Sequence, residues 1–258
     1  NRYRIYYPKT MGDAVWSMYD YNRGCCDNIC YSGVADIFRL PKFSLSFFRT
    51  QIAEGSMLPS GKMPYEVFIP AYRDEILSDT VMVYGNVDEV ELVLNGKTIR
   101  RQTADKGPDS DYIPVPNGGN GKNLHFPPFT FYGVPKERGV LKAVGYHQGK
   151  KVAEYTVKTP GVPERLDITY FESGKPATKN DLLIVYVRML DKQGVLCPVN
   201  GIPVELSVQG GEIVGPTSYP LEAGVASFLV RTGEISKINI NATGKGFSTR
   251  KSLKVGKE

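Results

Sequence analysis

Four kinds of residue in this chain have the chemistry to form a site, and spacing excludes most of them. The adjacent carboxylates Asp74-Glu75 and Asp88-Glu89 offer acid/base groups, but neighbours on a strand face opposite sides and cannot flank one bond. Solvated faces account for them. Cys25, Cys26 and Cys30 have the spacing C-C-x-x-x-C, with no second pair and no histidine nearby, since the only two histidines are His125 and His147. Structural zinc needs four ligands at recognisable spacings, and adjacent cysteines rarely bridge each other. These three and Cys197 therefore read as buried free thiols, and no metal or cofactor is expected. The glycine-rich run Gly210-Gly211-Glu212-Ile213-Val214-Gly215 does not enter a helix, so it reads as a strand with flanking turns, not as a phosphate cradle. Tyr84, Tyr146 and Tyr155 have the ring faces for a carbohydrate platform, with core packing as the simpler account.

The bulk properties narrow the function classes further. The 258 residues suffice for two ordinary domains. The formal charge of +5 is dispersed, with no stripe that would follow a phosphate backbone. The basic stretch Lys245–Glu258 reads as a solvated final strand and tail, so no nucleic acid is expected. No apolar run approaches the roughly 20 residues that span a bilayer, and no membrane partner is expected. The chain opens on Asn1-Arg2-Tyr3-Arg4, with neither an initiator Met nor a signal peptide, which leads us to expect a mature, processed or excised fragment.

The elements that must position any site fall into distinct textures. Gly12–Tyr21 reads as one short buried strand, followed by a Cys- and Asn-rich loop. After Pro41, apolar positions 43, 45, 47 and 48 suit a helix packed on one face. Strand, loop and helix make one β/α unit over residues 1–51, and a lone unit cannot bury its own apolar face. Residues 52–63 contain Gly, Pro and Ser and read as a linker. From Tyr65 the period becomes two. Val81–Tyr84 and Glu89–Leu94 precede the hairpin signal Asn95-Gly96, and Val140–Tyr146 and Val152–Val157 flank the turn at Gln148-Gly149. Thr159-Pro160-Gly161-Val162-Pro163 breaks any strand. The pattern then restarts with Arg165–Thr169, Leu182–Leu190, Pro203–Val208, Gly224–Val230 and Lys237–Ala242. The expected architecture is mainly β: two immunoglobulin-like β-sandwiches (64–159 and 160–258) behind an isolated β/α unit.

Three segments carry a resemblance. Gly12–Tyr21, with Tyr31-Ser32-Gly33-Val34-Ala35-Asp36-Ile37-Phe38-Arg39-Leu40-Pro41-Lys42 behind it, resembles the end of the catalytic barrel in the β-galactosidase-like glycoside hydrolases of family 2. The family's last barrel strand delivers a Trp, and the next loop reads Gly-(Val/Ile)-x-Asp-x-x-x-x-Pro-Lys. Val83–Lys97 is similar to a strand pair of the sandwich after the barrel, and Leu141–Tyr146 through Thr159-Pro160-Gly161 to its closing strands. The final domain resembles the invasin-type bacterial immunoglobulin-like modules. The resemblance covers nearly the whole chain.

It implies that residues 1–51 are the last β/α unit of a truncated (β/α)8 TIM barrel. It also implies a retaining hydrolase acting on a galactoside-type carbohydrate, periplasmic or extracellular and bacterial. Such enzymes use two carboxyl groups about 5–5.5 Å apart, which the family carries on strands preceding the Trp strand. The eleven residues before Gly12 contain no Asp or Glu, so the fragment itself is expected to be inactive. Trp16 matches the aromatic floor of the sugar subsite. Asp20 and Asn22, just after the strand end, are candidate substrate-binding residues, whereas Asp36 and Lys42 are expected to order the loop and the helix start. A non-catalytic carbohydrate-binding or cell-surface adhesion module is the alternative.

Overall fold

The computed structural model describes residues 14–24, 28–76, 78–105, 124–171 and 176–256. The chain forms two compact units, Asn1–Lys158 and Thr159–Glu258.

In the first unit, helix α1 (Phe43–Thr50) follows Pro41, and the hairpin β1 (Met57–Leu58) and β2 (Gly61–Lys62) follows the helix. The stretch expected as a linker is therefore folded: Met57 pairs with Lys62 around Pro59-Ser60, and Met63 is buried. The remaining strands form two antiparallel sheets. One has the order β3 (Val67–Phe68), β4 (Val81–Gly85), β7 (Phe129–Phe131). The other has the order β6 (Lys97–Thr103), β5 (Glu89–Leu94), β8 (Val140–His147), β9 (Lys150–Lys158). Strand β5 shows the period directly: Val90, Leu92 and Leu94 face the core while Glu89 and Glu91 do not. They meet Val83, Phe129, Phe131, Leu141 and Ala143 in one apolar cluster. The three- and four-stranded sheets over one core fit the immunoglobulin-like expectation. Asn95 and Gly96 both have positive φ, 51° and 80°, as the expected type I′ turn between β5 and β6 requires.

Helix α1 packs on this sandwich. The Phe43 ring lies 5.6 Å from Phe68, Phe47 lies 5.1 Å from Tyr84, and Arg49 pairs with Glu66. Asn86, 3% exposed, joins the same region from the β4–β5 turn. Its Oδ1 accepts from the Glu66 amide at 2.6 Å, and its Nδ2 donates to the carbonyls of Ile52 and Pro64, each at 3.0 Å.

The second unit places β10 (Arg165–Tyr170), β11 (Leu182–Leu190), β15 (Val225–Thr232) and β13 (Gly211–Ile213) in one sheet. The other runs β14 (Ser218–Pro220), β12 (Pro203–Gln209), β16 (Lys237–Gly244), β17 (Phe247–Lys254). Val185, Val187, Met189, Phe228, Ile238 and Ile240 fill the core between them. The glycine-rich run is strand β13 with turns, as expected. Most of the basic C-terminal stretch forms strand β17, last in its sheet and paired with β16.

Asp191 is a buried carboxylate of this unit, 1% exposed. Oδ2 accepts from the Gly161 amide at 2.7 Å and Oδ1 from the Val195 amide at 2.8 Å. Burial pushes its pKa up, but amide donation from Gly161, Val195, Gln193 and Gly194 outweighs burial and holds it below the usual carboxylate value. A carboxyl lowered on folding contributes stability that is present above its unfolded pKa, about 3.9. That stability is lost as pH falls through the folded value. We expect this unit to lose stability on acidification below about pH 4. Asp191→Asn should be less stable at pH 7 and show a flatter acid limb in urea titrations; equal slopes for the two proteins would refute the assignment.

The expected buried strand at Gly12–Tyr21 is not formed among the described residues. Residues 14–21 make single bridges, Tyr19 to Ala35 and Tyr21 to Cys30, and belong to no sheet. Val15, Trp16 and Met18 are 56%, 75% and 66% exposed. A strand is defined by its ladder, and no neighbouring strand supplies one here. Of the cysteines expected as buried free thiols, Cys197 is buried and free, whereas Cys30 is free but only partly buried. Cys25 and Cys26 lie outside the described residues.

Candidate functional site

The loop between residue 16 and helix α1 is built around one buried carboxylate. Asp20 is 6% exposed. Its Oδ1 accepts from the Gly33 amide at 2.9 Å and from Lys42 Nζ at 2.6 Å. Lys42 Nζ also donates to the Tyr31 carbonyl at 3.1 Å, and its amide donates to the Val34 carbonyl. The lysine that starts the helix thus holds the loop by charge and by hydrogen bonds.

The Gly-Val-Ala-Asp…Pro-Lys motif is explained position by position. A Cβ on Gly33 would lie 2.3 Å from the Asp20 nitrogen and 2.4 Å from the Tyr19 carbonyl carbon, so only glycine permits this approach. Ala35 is buried and bridges Tyr19 and Pro41. Asp36 closes the turn, its Oδ1 accepting from the Leu40 amide at 2.8 Å. Burial raises the Asp36 carboxyl, and the amides of Leu40 and Phe38 oppose that. Asp36 and Lys42 thus order the loop and the helix start, the role expected of them.

The aromatic groups stand on this scaffold. Trp16 Nε1 donates to Tyr21 Oη at 2.8 Å, with the rings edge to face at 6.0 Å. The indole is otherwise open to solvent. Tyr31, 70% exposed, has Lys42 Nζ 5.9 Å from its ring centre. Asn22 is exposed, its Oδ1 accepting from the Gly24 amide at 2.8 Å in a tight turn. Hydrogen bonds from Ser32 and then Tyr21 hold the Cys30 thiol below its ordinary pKa. Of the three candidate binding residues, then, Trp16 presents a free face, Asn22 retains an exposed amide, and Asp20 is enclosed.

The arrangement can stack a ring and donate hydrogen bonds around it. Asp20 and Asp36 both accept backbone amides, so this loop offers no open carboxylate among its described residues. No group of three or more His, Cys, Asp or Glu capable of holding a metal occurs among the described residues. The tyrosines are engaged elsewhere: Tyr84 packs on Phe47, Tyr155 on Phe68, and Tyr146 lies under Arg101 with its hydroxyl on Glu91. Sequence reasoning missed Asn86 and the Asp20–Lys42 pair, whose partners lie 20 to 34 positions away.

Known proteins share these segments. A family model described as a domain of unknown function (DUF4982) matches residues 78–153. A β-galactosidase of Thermoanaerobacter pseudethanolicus is 32% identical over 241 residues, covering 87% of this chain and 30% of that protein. A β-galactosidase of Bacteroides ovatus is 29% identical over 210 residues, covering 79% and 22%. Among solved structures, a β-glycosidase from Bacteroides vulgatus superposes with a TM-score of 0.72 at 17% identity, over 93% of this chain and 30% of that one. A family 2 β-glucuronidase gives 0.69 at 21% identity, over 89% and 23%. The chain thus spans less than a third of the length of these relatives. A β-galactosidase of Rhizobium radiobacter is 30% identical over 129 residues, covering 49% of this chain and 92% of that protein, and the chain accordingly belongs to the β-galactosidase-like glycoside hydrolases of family 2.

Proposed function

We propose that this chain is the non-catalytic C-terminal part of a retaining glycoside hydrolase acting on galactoside-type substrates outside the bacterial cytoplasm. The two catalytic carboxylates belong to residues preceding Asn1, so the chain by itself does not hydrolyse substrate. Residues 1–51 complete the barrel that holds them, and the sandwiches brace it. Trp16 floors the sugar subsite, where the C–H face of a pyranose packs on the indole. Asn22 reaches the sugar from the rim, and Asp20 positions both through Gly33 and Lys42.

The observation that carries this reading is Trp16 itself: a large aromatic left 75% exposed on a loop ordered by the buried Asp20 carboxylate and its partner Lys42. A pyranose is a fitting cover for such a face. The test uses p-nitrophenyl β-D-galactoside with this chain and with a longer protein that includes the preceding residues. The chain should show no turnover and the longer protein should show turnover with retention. In that protein Trp16→Ala should lower kcat/KM about 10-fold, for about 1.5 kcal/mol from one aromatic face, and Trp16→Phe should recover most of it. Hydrolysis by the chain alone, or an unchanged Trp16→Ala enzyme, would sink the proposal. Trp16 is the sole tryptophan, so its fluorescence also tests the adhesion alternative, which requires saturable micromolar galactoside binding by the chain alone.

A further inference from the structure

The hairpin of β16 and β17 carries charge that the rest of its surface does not balance. From Ile235 to Lys257 the sequence contains no Asp or Glu, while the two strands and their turn bear Lys237, Lys245, Arg250, Lys251 and Lys254. Elsewhere in this unit Lys179, Arg188 and Arg231 each pair with a carboxylate. None of the five hairpin cations forms an ion pair with a described residue.

Strand pairing gathers three of them on one face. Ile238, Ile240 and Ala242 fill the core, so alternation turns Lys237, Asn239 and Asn241 outward. Their partners across the ladder are Lys254, Ser252 and Arg250. A 2.6 Å bond from Ser252 Oγ to Asn239 Oδ1 fixes these two on the same side. Lys237 thus stands directly opposite Lys254, and like charges so placed destabilise a sheet. A counter-charge from outside the chain relieves them. Glu205 of β12 also faces outward, but it lies opposite Thr243, at the end of the sheet away from the two lysines.

The pattern on the face selects the kind of anion. Gln209, Asn239 and Ser252 form a neutral row beside the lysines, able both to donate and to accept hydrogen bonds. Lys254 and Arg250 stand about 13 Å apart along β17, whereas duplex DNA carries a charge about every 3.4 Å on each strand. Phe247, the only ring in β12, β16 and β17, packs against the core and offers nothing for a base to stack on. A chain of sugars whose charges are separated by neutral, hydroxyl-rich units matches both the cations and the amides.

We propose that the outer face of β12, β16 and β17 binds an acidic polysaccharide. Lys237, Lys254 and Arg250 meet its anionic groups, and Gln209, Asn239 and Asn241 its hydroxyls. The site involves neither Trp16 nor hydrolysis. The anionic group is a carboxylate or a sulfate, and calorimetric titration of this chain in about 0.15 M salt separates the two. The probes are oligosaccharides of hyaluronan, with a carboxylate on each disaccharide, and of κ-carrageenan, with a sulfate on each. At least one should bind saturably with Kd at or below about 1 mM. The combined variant Lys237→Gln, Arg250→Gln, Lys254→Gln should weaken binding about 10- to 100-fold. Lys97→Gln, Lys150→Gln and Lys158→Gln, at exposed positions of the first unit, remove the same charge together and should change binding less than about 2-fold. Asn239→Ala with Asn241→Ala leaves the charge intact and should weaken binding about 5-fold through lost hydrogen bonds. The proposal is overturned if neither oligosaccharide binds or if the first-unit variant loses as much as the hairpin variant. It is equally overturned if the amide variant binds as the unaltered protein does, or if neutral agarose oligosaccharide, a DNA duplex or poly-L-glutamate binds as tightly.

Discussion

Asn86→Leu is expected to destabilise the first unit by about 3–5 kcal/mol, a large effect for a single substitution. The size follows from what the side chain satisfies. The amide accepts from Glu66 N–H and donates to the carbonyls of Ile52 and Pro64, all in a region where Asn86 is 3% exposed. Leucine has similar volume but leaves three backbone groups without partners. Each orphaned group costs about 1–3 kcal/mol. Asn86→Asp separates the two halves of the interaction. It keeps the acceptor for Glu66 but turns an anionic oxygen toward two carbonyls, so it should be no more stable than the leucine variant despite its closer shape. Asn86→Ala, which admits water, should be the mildest of the three. Urea unfolding followed by circular dichroism gives the stabilities. Hydrogen exchange should show the loss centred on residues 52–68, where the helix exit and the β1–β2 hairpin meet β3. A leucine variant within about 1 kcal/mol of the parent would show that these groups find water instead.

The contrast between Asn86 and Asn95 shows what a sequence exposes to reading. Asn95-Gly96 is a local signal: two residues with positive φ between alternating strands, legible because the turn geometry itself demands those residue types. Asn86 also sits in a turn, but its importance lies in partners 20, 22 and 34 positions back. No local pattern encodes them. The same division runs through the candidate site. Gly33, Asp36 and Lys42 were legible as a motif, and Asp36 is a local turn closure. The link from Lys42 back to Asp20 depends on the folded loop, and so does the reason for Gly33. Asp191 carries no local signal, because burial of a single ionic group leaves no period in the sequence. The misread element fails for a physical reason of the same kind. The apolar run at Val15–Tyr19 has strand composition, but composition supplies one side of a ladder and the neighbours supply the other.

The ion pair of Asp20 with Lys42 should show a strong asymmetry between its two partners. The Asp20 side chain is 3% exposed and that of Lys42 is 32% exposed. Lys42→Met leaves a buried carboxylate with the Gly33 amide as its one remaining described donor, which should cost about 3–4 kcal/mol, within the range for breaking a buried pair. Asp20→Asn leaves an ammonium that already reaches water and keeps an acceptor for Gly33, so about 1–2 kcal/mol is expected. Combining Asp20→Asn with Lys42→Met removes both charges and should recover part of the loss, giving a coupling energy of about 1–3 kcal/mol. The readout is local: Trp16 fluorescence and exchange of the amides of Ala35 and Gly33, which bond to Met18 and Asp20. The same series decides the role of Asp20 in the longer protein. If Asp20 touches substrate, Asp20→Asn raises KM while Lys42→Met at saturating folding conditions does not. If it positions Trp16, both variants depress kcat/KM in proportion to their disturbance of Trp16 fluorescence, with Lys42→Met the more severe. The second outcome is the one expected, because Asp20 Oδ1 already accepts from Gly33 and Lys42.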